Sequence, residues 1–302
     1  MRLRQLKIRG VGCFPVTDWV MLSTTVTLLR FPNRLAGEHA LKAIQCLNPP
    51  FDCRINQPFK DLPLETVSAS GLRRVIAPEK RTIVFGIFDT PASLVKELGA
   101  ISRPLYATDR VEVGRRLDYS RWINFVEIAS SSRWSEVSED IKDLLHRESP
   151  ERADAPHIYR LLAETAPTDR IKGSLAEQLA TWLAGLPERD GLNDLVEKVL
   201  RASRFSEARA IMVRRLPQFI SLRYGEELQR LPHSHAGDND AQGAPVLLID
   251  CFDAVGPGTP REDPLTVLGS LAKHCQCLCF ADHSHPGWNL KAKQIVDVTV
   301  SN

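Results

Sequence analysis

Long apolar runs are absent from this sequence. No stretch of about 18 or more apolar residues occurs in it, so it contains no candidate transmembrane helix. The opening segment MRLRQLKIRG goes directly into an alternating apolar and basic pattern and lacks the apolar core of a secretory signal peptide. These absences predict a cytoplasmic protein with no membrane partner.

An excess of charge of either sign is also absent. The 39 Lys and Arg residues nearly balance the 37 Asp and Glu residues, and a net charge of +2 neither indicates nor excludes a nucleic-acid surface. The seven cysteines are odd in number and lie mostly in apolar stretches, so we expect reduced core thiols and no disulfide framework. The 302 residues, 43% of them hydrophobic, are enough for one large globular domain or two modest ones.

Strand and helix patterns alternate at both ends of the chain. RLRQLKIRGVGCF alternates apolar and basic residues and predicts an edge strand, and β-branched residues predict a second strand over residues 20–31. Helical spacing of apolar residues then begins at His39 and stops before Pro49. Near the C-terminus, VLLID and CQCLCFAD are typical of buried parallel strands, LTVLGSLAKH predicts a helix between them, and QIVDVTV predicts a final strand.

The middle of the chain has a different character. RTIVFGIFDT and RWINFVEIA predict strands around a short helix at SLVKELGAI, and the pattern is helical from Trp134 to Leu216. We therefore predict an α/β fold, P-loop NTPase-like, in which a mainly parallel sheet carries an antiparallel β subdomain and a helical insertion. The predicted parts of this composite domain are an N-terminal lobe (1–130), a helical insertion (131–231) and a C-terminal lobe (232–302).

A strand, a turn and a helix in this order form the context of a phosphate-binding loop, and residues 31–38, FPNRLAGE, occupy the turn. A working loop reads G-x-x-x-x-G-K-[ST], because glycines let backbone amides surround the phosphates, lysine neutralises charge and the hydroxyl holds Mg²⁺. Here Gly37 falls on the lysine position and Glu38 on the hydroxyl position. The candidate nucleotide-contacting residues are Pro32, Asn33, Arg34, Gly37, Glu38 and Lys42.

These segments, in this order, resemble the ATPase heads of the ABC-type P-loop superfamily, especially the SMC, RecF and OLD-like group. The resemblance covers mainly residues 1–50, about 210–225 and 245–300, and it is carried by RLRQLKIRGVGCF, TLLRFPNRLAGE, ALKAIQCL, LPQFISL, VLLIDCFDAVGP and FADHSHPGW. It implies degenerate forms of the Walker A and Walker B motifs. The family signature L-S-G-G-E/Q is not found between Phe219 and Val246, and GSLAEQ, further upstream, is a superficial match.

The resemblance also assigns roles to three residues. It places Asp250 on the metal-coordinating aspartate of Walker B and His283 on the histidine that senses the γ-phosphate. Cys251 replaces the glutamate that polarises the attacking water, and a neutral thiol orients water poorly. Asp250 and His283 are therefore the candidate catalytic residues, and Asp250 would hold Mg²⁺ if the metal binds.

The changed loop bears directly on ATP binding. Loss of the lysine removes a contact worth about 1.5–3 kcal/mol, and Glu38 adds repulsion against a phosphate. We therefore expect no cofactor, with ATP and Mg²⁺ as the cofactors if the loop is functional. Rescue of an unusual nucleotide site by Arg30, Arg34 and Lys42 remains an open alternative.

Other conspicuous residues have competing interpretations. His274, Cys275, Cys277 and Cys279 suggest a zinc site, but spacing of two along a strand favours small buried thiols, and no zinc is predicted. A Cys-His hydrolase built from Cys251 and His283 is a minor alternative. The basic stretches RLRQLKIR and RVEVGRR are typical either of DNA phosphate contacts or of edge strands with outward charges.

The motif order of the family is kept, whereas the residues that bind phosphate and orient water are replaced. This combination predicts a degenerate ATPase head that serves as a non-hydrolysing scaffold or regulatory subunit. The resemblance implies a protein partner, an ATPase or a nuclease, in DNA repair or phage defence, with DNA reached through the complex. A divergent but active ATPase using Asp250 and His283 is the first alternative. A protein-interaction module without nucleotide is the second, so enzymatic activity is left open.

Overall fold

The computed structural model describes residues 1–50, 78–102, 106, 108–147, 154–224, 244–252, 264–283 and 294–298. The chain divides into two compact units. The first comprises Met1–Pro91, Asp109–Val126 and Arg214–Asn302, and the second comprises Ala92–Thr108 and Glu127–Val213. The division into lobes at 1–130, 131–231 and 232–302 stays a prediction.

All strands in the described parts of the chain belong to the first unit. In chain order they are β1 (Arg2–Val11), β2 (Phe14–Val16), β3 (Val20–Met21), β4 (Val26–Phe31), β5 (Thr82–Asp89), β6 (Arg110–Arg116), β7 (Arg121–Phe125), β8 (Phe219–Arg223), β9 (Val246–Asp250), β10 (Gln276–Asp282) and β11 (Gln294–Asp297). The helices are α1 (Arg34–Gln45), α2 (Ala92–Ile101), α3 (Ser138–Arg147), α4 (Ala155–Glu164), α5 (Ser174–Ala184), α6 (Leu192–Arg215) and α7 (Pro264–Leu271), with 3-10 turns at Pro78–Lys80 and Trp134–Glu136. None of the helices in these described parts is long and apolar enough to cross a membrane.

Five strands form a parallel sheet in the order β11-β4-β10-β9-β8. The central strands β4, β10 and β9 are buried along almost their whole length, which requires apolar side chains on both faces and explains their continuous apolar sequences. The buried parallel strands predicted from VLLID and CQCLCFAD are therefore confirmed.

The second sheet is antiparallel, in the order β2-β1-β5-β6-β7, with β3 also paired to β1. β1 contributes the buried apolar side chains Leu3, Leu6 and Ile8 to its inward face, and β6 contributes Val113 and the buried Arg115. The predicted mixed α/β fold with a parallel and an antiparallel sheet is confirmed, and the assignment to P-loop NTPases stays a prediction.

The structure differs from the sequence predictions in which strands lie at a sheet edge, in the extent of one strand and in the start of the first helix. β1 and β6 are not edge strands, because β2 and β3 pair along one side of β1 and β5 along the other, while β6 lies between β5 and β7. The strand predicted over residues 20–31 is interrupted between β3 and β4, where Thr27 Oγ1 accepts a hydrogen bond from the Ser23 amide at 2.8 Å. The first helix begins at Arg34 and not at His39, because Asn33 caps it with its side chain.

One buried amide joins the two sheets. Gln276, at the start of β10, accepts a hydrogen bond from Leu3 N at 2.9 Å and donates from Nε2 to Leu3 O and to Ser23 O, both at 2.7 Å. The contact falls at Leu3, where the pairing of β1 with β5 shifts register before Gln5. The Gln276 side chain thus bonds to the backbone of β1 as a neighbouring strand would, at the point where the β1–β5 register shifts.

The second unit is mainly helical, as its sequence pattern predicted. Its core contains the fully buried Ile141, Leu179 and Val199 and two buried tryptophans, Trp134 and Trp182. Amphipathic helices bury their apolar stripes against one another in this way.

Candidate functional site

The predicted site residues converge on the carboxyl edge of the parallel sheet. β4, β9 and β10 run in the same direction, with Asp282 opposite Phe31 and Asp250 opposite Phe280. The His283 amide donates to Phe31 O at 3.0 Å, which fixes His283 beside the end of β4. Strands lie about 4.8 Å apart, so Asp250 is about 10 Å from β4, with β10 between them. Ligand sites of open α/β sheets form at this edge.

The connection from β4 to α1 is only two residues long, Pro32 and Asn33. Pro32 has no amide hydrogen. Asn33 Oδ1 accepts the Ala36 amide at 2.9 Å, and Asn33 O accepts the Gly37 amide at 3.3 Å. A phosphate-binding loop instead places a glycine-rich turn between strand and helix and directs several amides into it. The segment FPNRLAGE lacks that turn, since Arg34 is already helical.

Gly37 lies in the first turns of α1 and is covered by an aromatic ring. An ideal Cβ built on Gly37 would lie 2.0 Å from Cζ and 2.9 Å from Cε2 of Phe252. A side chain at this position would therefore displace the ring of Phe252, which follows β9 by two residues. The one glycine of the segment FPNRLAGE is therefore covered by this packing.

The charged residues of the loop interact with each other. Arg34 Nε lies 2.7 Å from Glu38 Oε1, four residues along the same helix, and both side chains are partly exposed. The pair partly neutralises the carboxylate and also engages the nearest cation. Lys42 is exposed further along α1, and burial, followed by the charge of Lys42, lowers the pKa of His39.

The end of β9 places its two candidate residues in different surroundings. Asp250 is half-buried at the edge, and its Oδ1 accepts the Phe252 amide at 3.1 Å, as in an Asx turn. Cys251 is fully buried, and its Sγ lies 3.5 Å from Ile249 O inside an apolar cluster under α7. The Cys251 thiol therefore does not face the edge, and the structure does not bring it to His283.

His283 belongs to a charge cluster that the sequence analysis missed. Arg30 donates from Nε and Nη2 to the two carboxylate oxygens of Asp297 at 2.7 and 2.8 Å, and His283 Nδ1 lies 3.9 Å from Asp297 Oδ1. Both hydrogen bonds of this bidentate ion pair come from Arg30, which the sequence analysis expected beside a phosphate. Arg30 is therefore already paired with a carboxylate. The only sequence signal was an acidic residue, Asp297, in the middle of the predicted strand QIVDVTV.

The cysteines near β10 lie in the core. Cys275 Sγ lies 3.1 Å from Leu271 O and 4.0 Å from Cys277 Sγ. The hydrogen bond from Cys275, together with burial, raises the pKa of Cys277, and the hydrogen bond with Cys251, together with burial, raises that of Cys279. Among the described residues, no group of three or more His, Cys, Asp or Glu side chains is arranged to hold a metal ion.

No family profile and no curated protein matches the chain. Among solved structures, the SMC head domain from Thermotoga maritima is 13% identical with a TM-score of 0.31, over 94% of this chain and 90% of that one. The recombination mediator protein RecF-ATPrS is 10% identical with a TM-score of 0.33, over 99% and 98%.

A third solved structure is the Smc head domain of Pyrococcus furiosus with an extended coiled coil, bound to the C-terminal domain of ScpA. It is 11% identical with a TM-score of 0.31, over 92% of this chain and 89% of that one. The strand pairing itself defines the architecture of this chain.

Proposed function

We propose that this chain is an ATPase-like head that does not hydrolyse ATP and acts as a scaffold or regulatory subunit. The observation that carries the proposal is the β4–α1 connection, in which two residues and the Phe252 ring occupy the place of a phosphate-binding turn. The groups present there do not fit Mg²⁺-ATP. We therefore assign no catalytic step to this edge.

Internal contacts at the edge support the same conclusion. Binding a triphosphate would require Asn33 to release its cap on α1, Phe252 to move off Gly37, and Arg30 to leave Asp297. Each lost polar contact costs about 1 kcal/mol. A metal at Asp250 would have to share the carboxylate with the Phe252 amide, which donates to Oδ1.

The residue after Asp250 adds a second defect. In a hydrolysing site a carboxylate at this position would orient water. Cys251 supplies a thiol that is fully buried among apolar side chains. Even a bound nucleotide would lack a general base from this position.

A scaffold needs a partner. We propose a protein partner, an ATPase or a nuclease, in a DNA-repair or phage-defence complex, and this setting is supported only by the resemblance in the sequence. Affinity purification of the full chain from its native host tests it. Recovery of the chain with a stoichiometric ATPase or nuclease is expected, and recovery of the chain alone would contradict the scaffold role.

Calorimetric titration of the full chain with Mg²⁺-ATP tests the loss of nucleotide binding. We expect no binding at micromolar concentrations and no phosphate release. Micromolar affinity that disappears in Asp250→Ala but persists in the matched surface control Asp143→Ala would overturn the proposal.

The first alternative, a divergent ATPase, is favoured by one observation. Asp250 and His283 lie at the same sheet edge, and the His283 amide bonds to the end of β4. ATP hydrolysis by the purified chain that is lost in both Asp250→Ala and His283→Ala, with unchanged stability, would establish this alternative instead.

A further inference from the structure

Three aromatic rings line the outward face of the antiparallel sheet. The ring centroids of Trp19 and Phe85 are 6.3 Å apart and those of Phe85 and Trp122 are 6.0 Å apart, with interplanar angles of 71° in both pairs. All three side chains are half-buried. They form a continuous aromatic row across the sheet, since Phe85 pairs with Gly114 and Gly114 with Trp122.

The row is held in place by the sheet beneath it. A Cβ on Gly114 would lie 2.3 Å from Cε2 of Trp122, so the indole lies directly over the glycine. Trp122 Nε1 donates to Thr82 Oγ1 at 3.0 Å. An aromatic surface fixed in this way loses little side-chain entropy when a flat ligand stacks on it.

Basic side chains accompany the row on the same face. The Lys7 ammonium lies 5.8 Å from the centroid of the Trp19 ring, and Lys7 pairs directly with Phe85 across β1 and β5. Alternation along β1 places Arg9 on the same face as Lys7, and Arg9 is exposed. Alternation along β6 likewise places Arg116 on this face.

These cations come from RLRQLKIR and RVEVGRR, the two basic stretches singled out in the sequence. They lie on one sheet, separated by β5 alone. Two carboxylates share the face. Asp89 lies 3.2 Å from Arg4, and burial raises the pKa of Glu112.

We propose that this face, defined by Trp19, Phe85, Trp122, Lys7 and Arg9, binds single-stranded nucleic acid. Exposed bases stack on the rings, and phosphates lie against the two cations. Every base offers an aromatic face, so such a surface tolerates many sequences. The Lys7 ammonium beside the Trp19 ring favours this ligand over a protein, because lysine is depleted at protein interfaces. The site is independent of the proposed loss of ATP hydrolysis.

Fluorescence anisotropy with labelled 20-residue oligothymidylate and oligouridylate tests the proposal on the full chain. Binding to either strand at low salt is expected, and the two arms distinguish DNA from RNA. Trp19→Ala should weaken it roughly 5- to 150-fold, the range for one stacked base. The double variant Lys7→Ala/Arg9→Ala should reduce the slope of log affinity against log salt by about 1.4, because each phosphate contact contributes about 0.7 for a single strand.

The matched controls are Tyr159→Ala and Arg147→Ala, an exposed aromatic and an exposed cation of the second unit. Both should bind as the unchanged protein does. Equal affinity of Trp19→Ala and the unchanged protein, or no binding at low salt, would refute the proposal. Tighter binding to a duplex of the same length would refute it as well.

Photocrosslinking keeps the proposal testable if a variant fails to fold. Oligonucleotides carrying 5-iodouracil should crosslink the unchanged chain at peptides containing Trp19, Phe85 or Trp122. Crosslinks confined to other peptides would overturn the assignment. Capture of a protein on this face together with failure of both oligonucleotides to bind would identify a protein interface instead.

Discussion

Gln276 joins the two sheets of the first unit through a single side chain, and its replacement should be unusually costly. The residue is 3% exposed and makes three hydrogen bonds of 2.7 to 2.9 Å, two of them to the backbone of Leu3. Gln276→Leu preserves approximate volume but leaves the Leu3 amide and the carbonyls of Leu3 and Ser23 without this partner. Buried polar groups left unsatisfied cost about 1–3 kcal/mol each.

Three such groups give an expected loss of about 3–9 kcal/mol in the free energy of unfolding, which is a large part of the stability of an ordinary domain. Urea denaturation followed by circular dichroism measures it as a lower midpoint with an unchanged slope. Gln294→Leu is the matched control, because this amide makes an exposed bond of 3.0 Å to Met21 O, and it should cost less than about 1 kcal/mol. Equal losses for the two variants would refute the role assigned to the buried amide.

The remaining predictions concern the carboxyl edge and the outward face. Asn33→Ala removes the cap on α1 and should cost about 1 kcal/mol by urea denaturation, while Asn33→Asp should cost less; equal losses would contradict the cap. Gly37→Ala should destabilise the chain by about 1–3 kcal/mol through its clash with Phe252, but in the Phe252→Ala background it should stabilise by up to about 1 kcal/mol, because alanine favours helix. The same sign in both backgrounds would show that the ring is not the obstacle. Burial raises the pKa of Glu112 above its ordinary value of 4.5, so its ionisation costs stability as pH rises through the folded pKa. Thermal melts across pH should therefore show that Glu112→Gln is more stable than the unchanged chain at pH 7 and equally stable below pH 4. The same difference in stability at both pH values would contradict the raised pKa.

Sequence patterns identify the strands whose whole environment is apolar. β9 and β10 are buried on both faces, so VLLID and CQCLCFAD carry the signal in every residue. β6 reads as a basic stretch, because its outward positions are polar and Gly114 is required by a tryptophan on another strand. Its central place in the sheet depends on β5 and β7, and no local pattern specifies those partners.

The candidate site was predictable in position but not in its contacts. The order of motifs placed Asp250 and His283 at strand ends, which parallel strands then bring to one edge. The pairing of Arg30 with Asp297 spans 267 residues, and the packing of Phe252 on Gly37 depends on how β9 returns beside α1. Side-chain contacts of this kind follow from tertiary structure, and sequence spacing does not encode them.

These contacts bear on the loss of nucleotide binding that the resemblance predicts. The sequence alone predicts weakened nucleotide binding, since the absence of a lysine at residue 37 costs about 1.5–3 kcal/mol of binding free energy. The structure adds that remaining groups are engaged: Asn33 caps α1, Arg30 binds Asp297, and Asp250 accepts the Phe252 amide. Breaking the first two of these contacts costs up to about 2 kcal/mol, at about 1 kcal/mol or less each, which corresponds to a factor of up to roughly 30 in affinity. The substitution Gly37→Lys would therefore not produce tight ATP binding. The new side chain would meet Phe252, and Asn33 and Arg30 would keep their present partners.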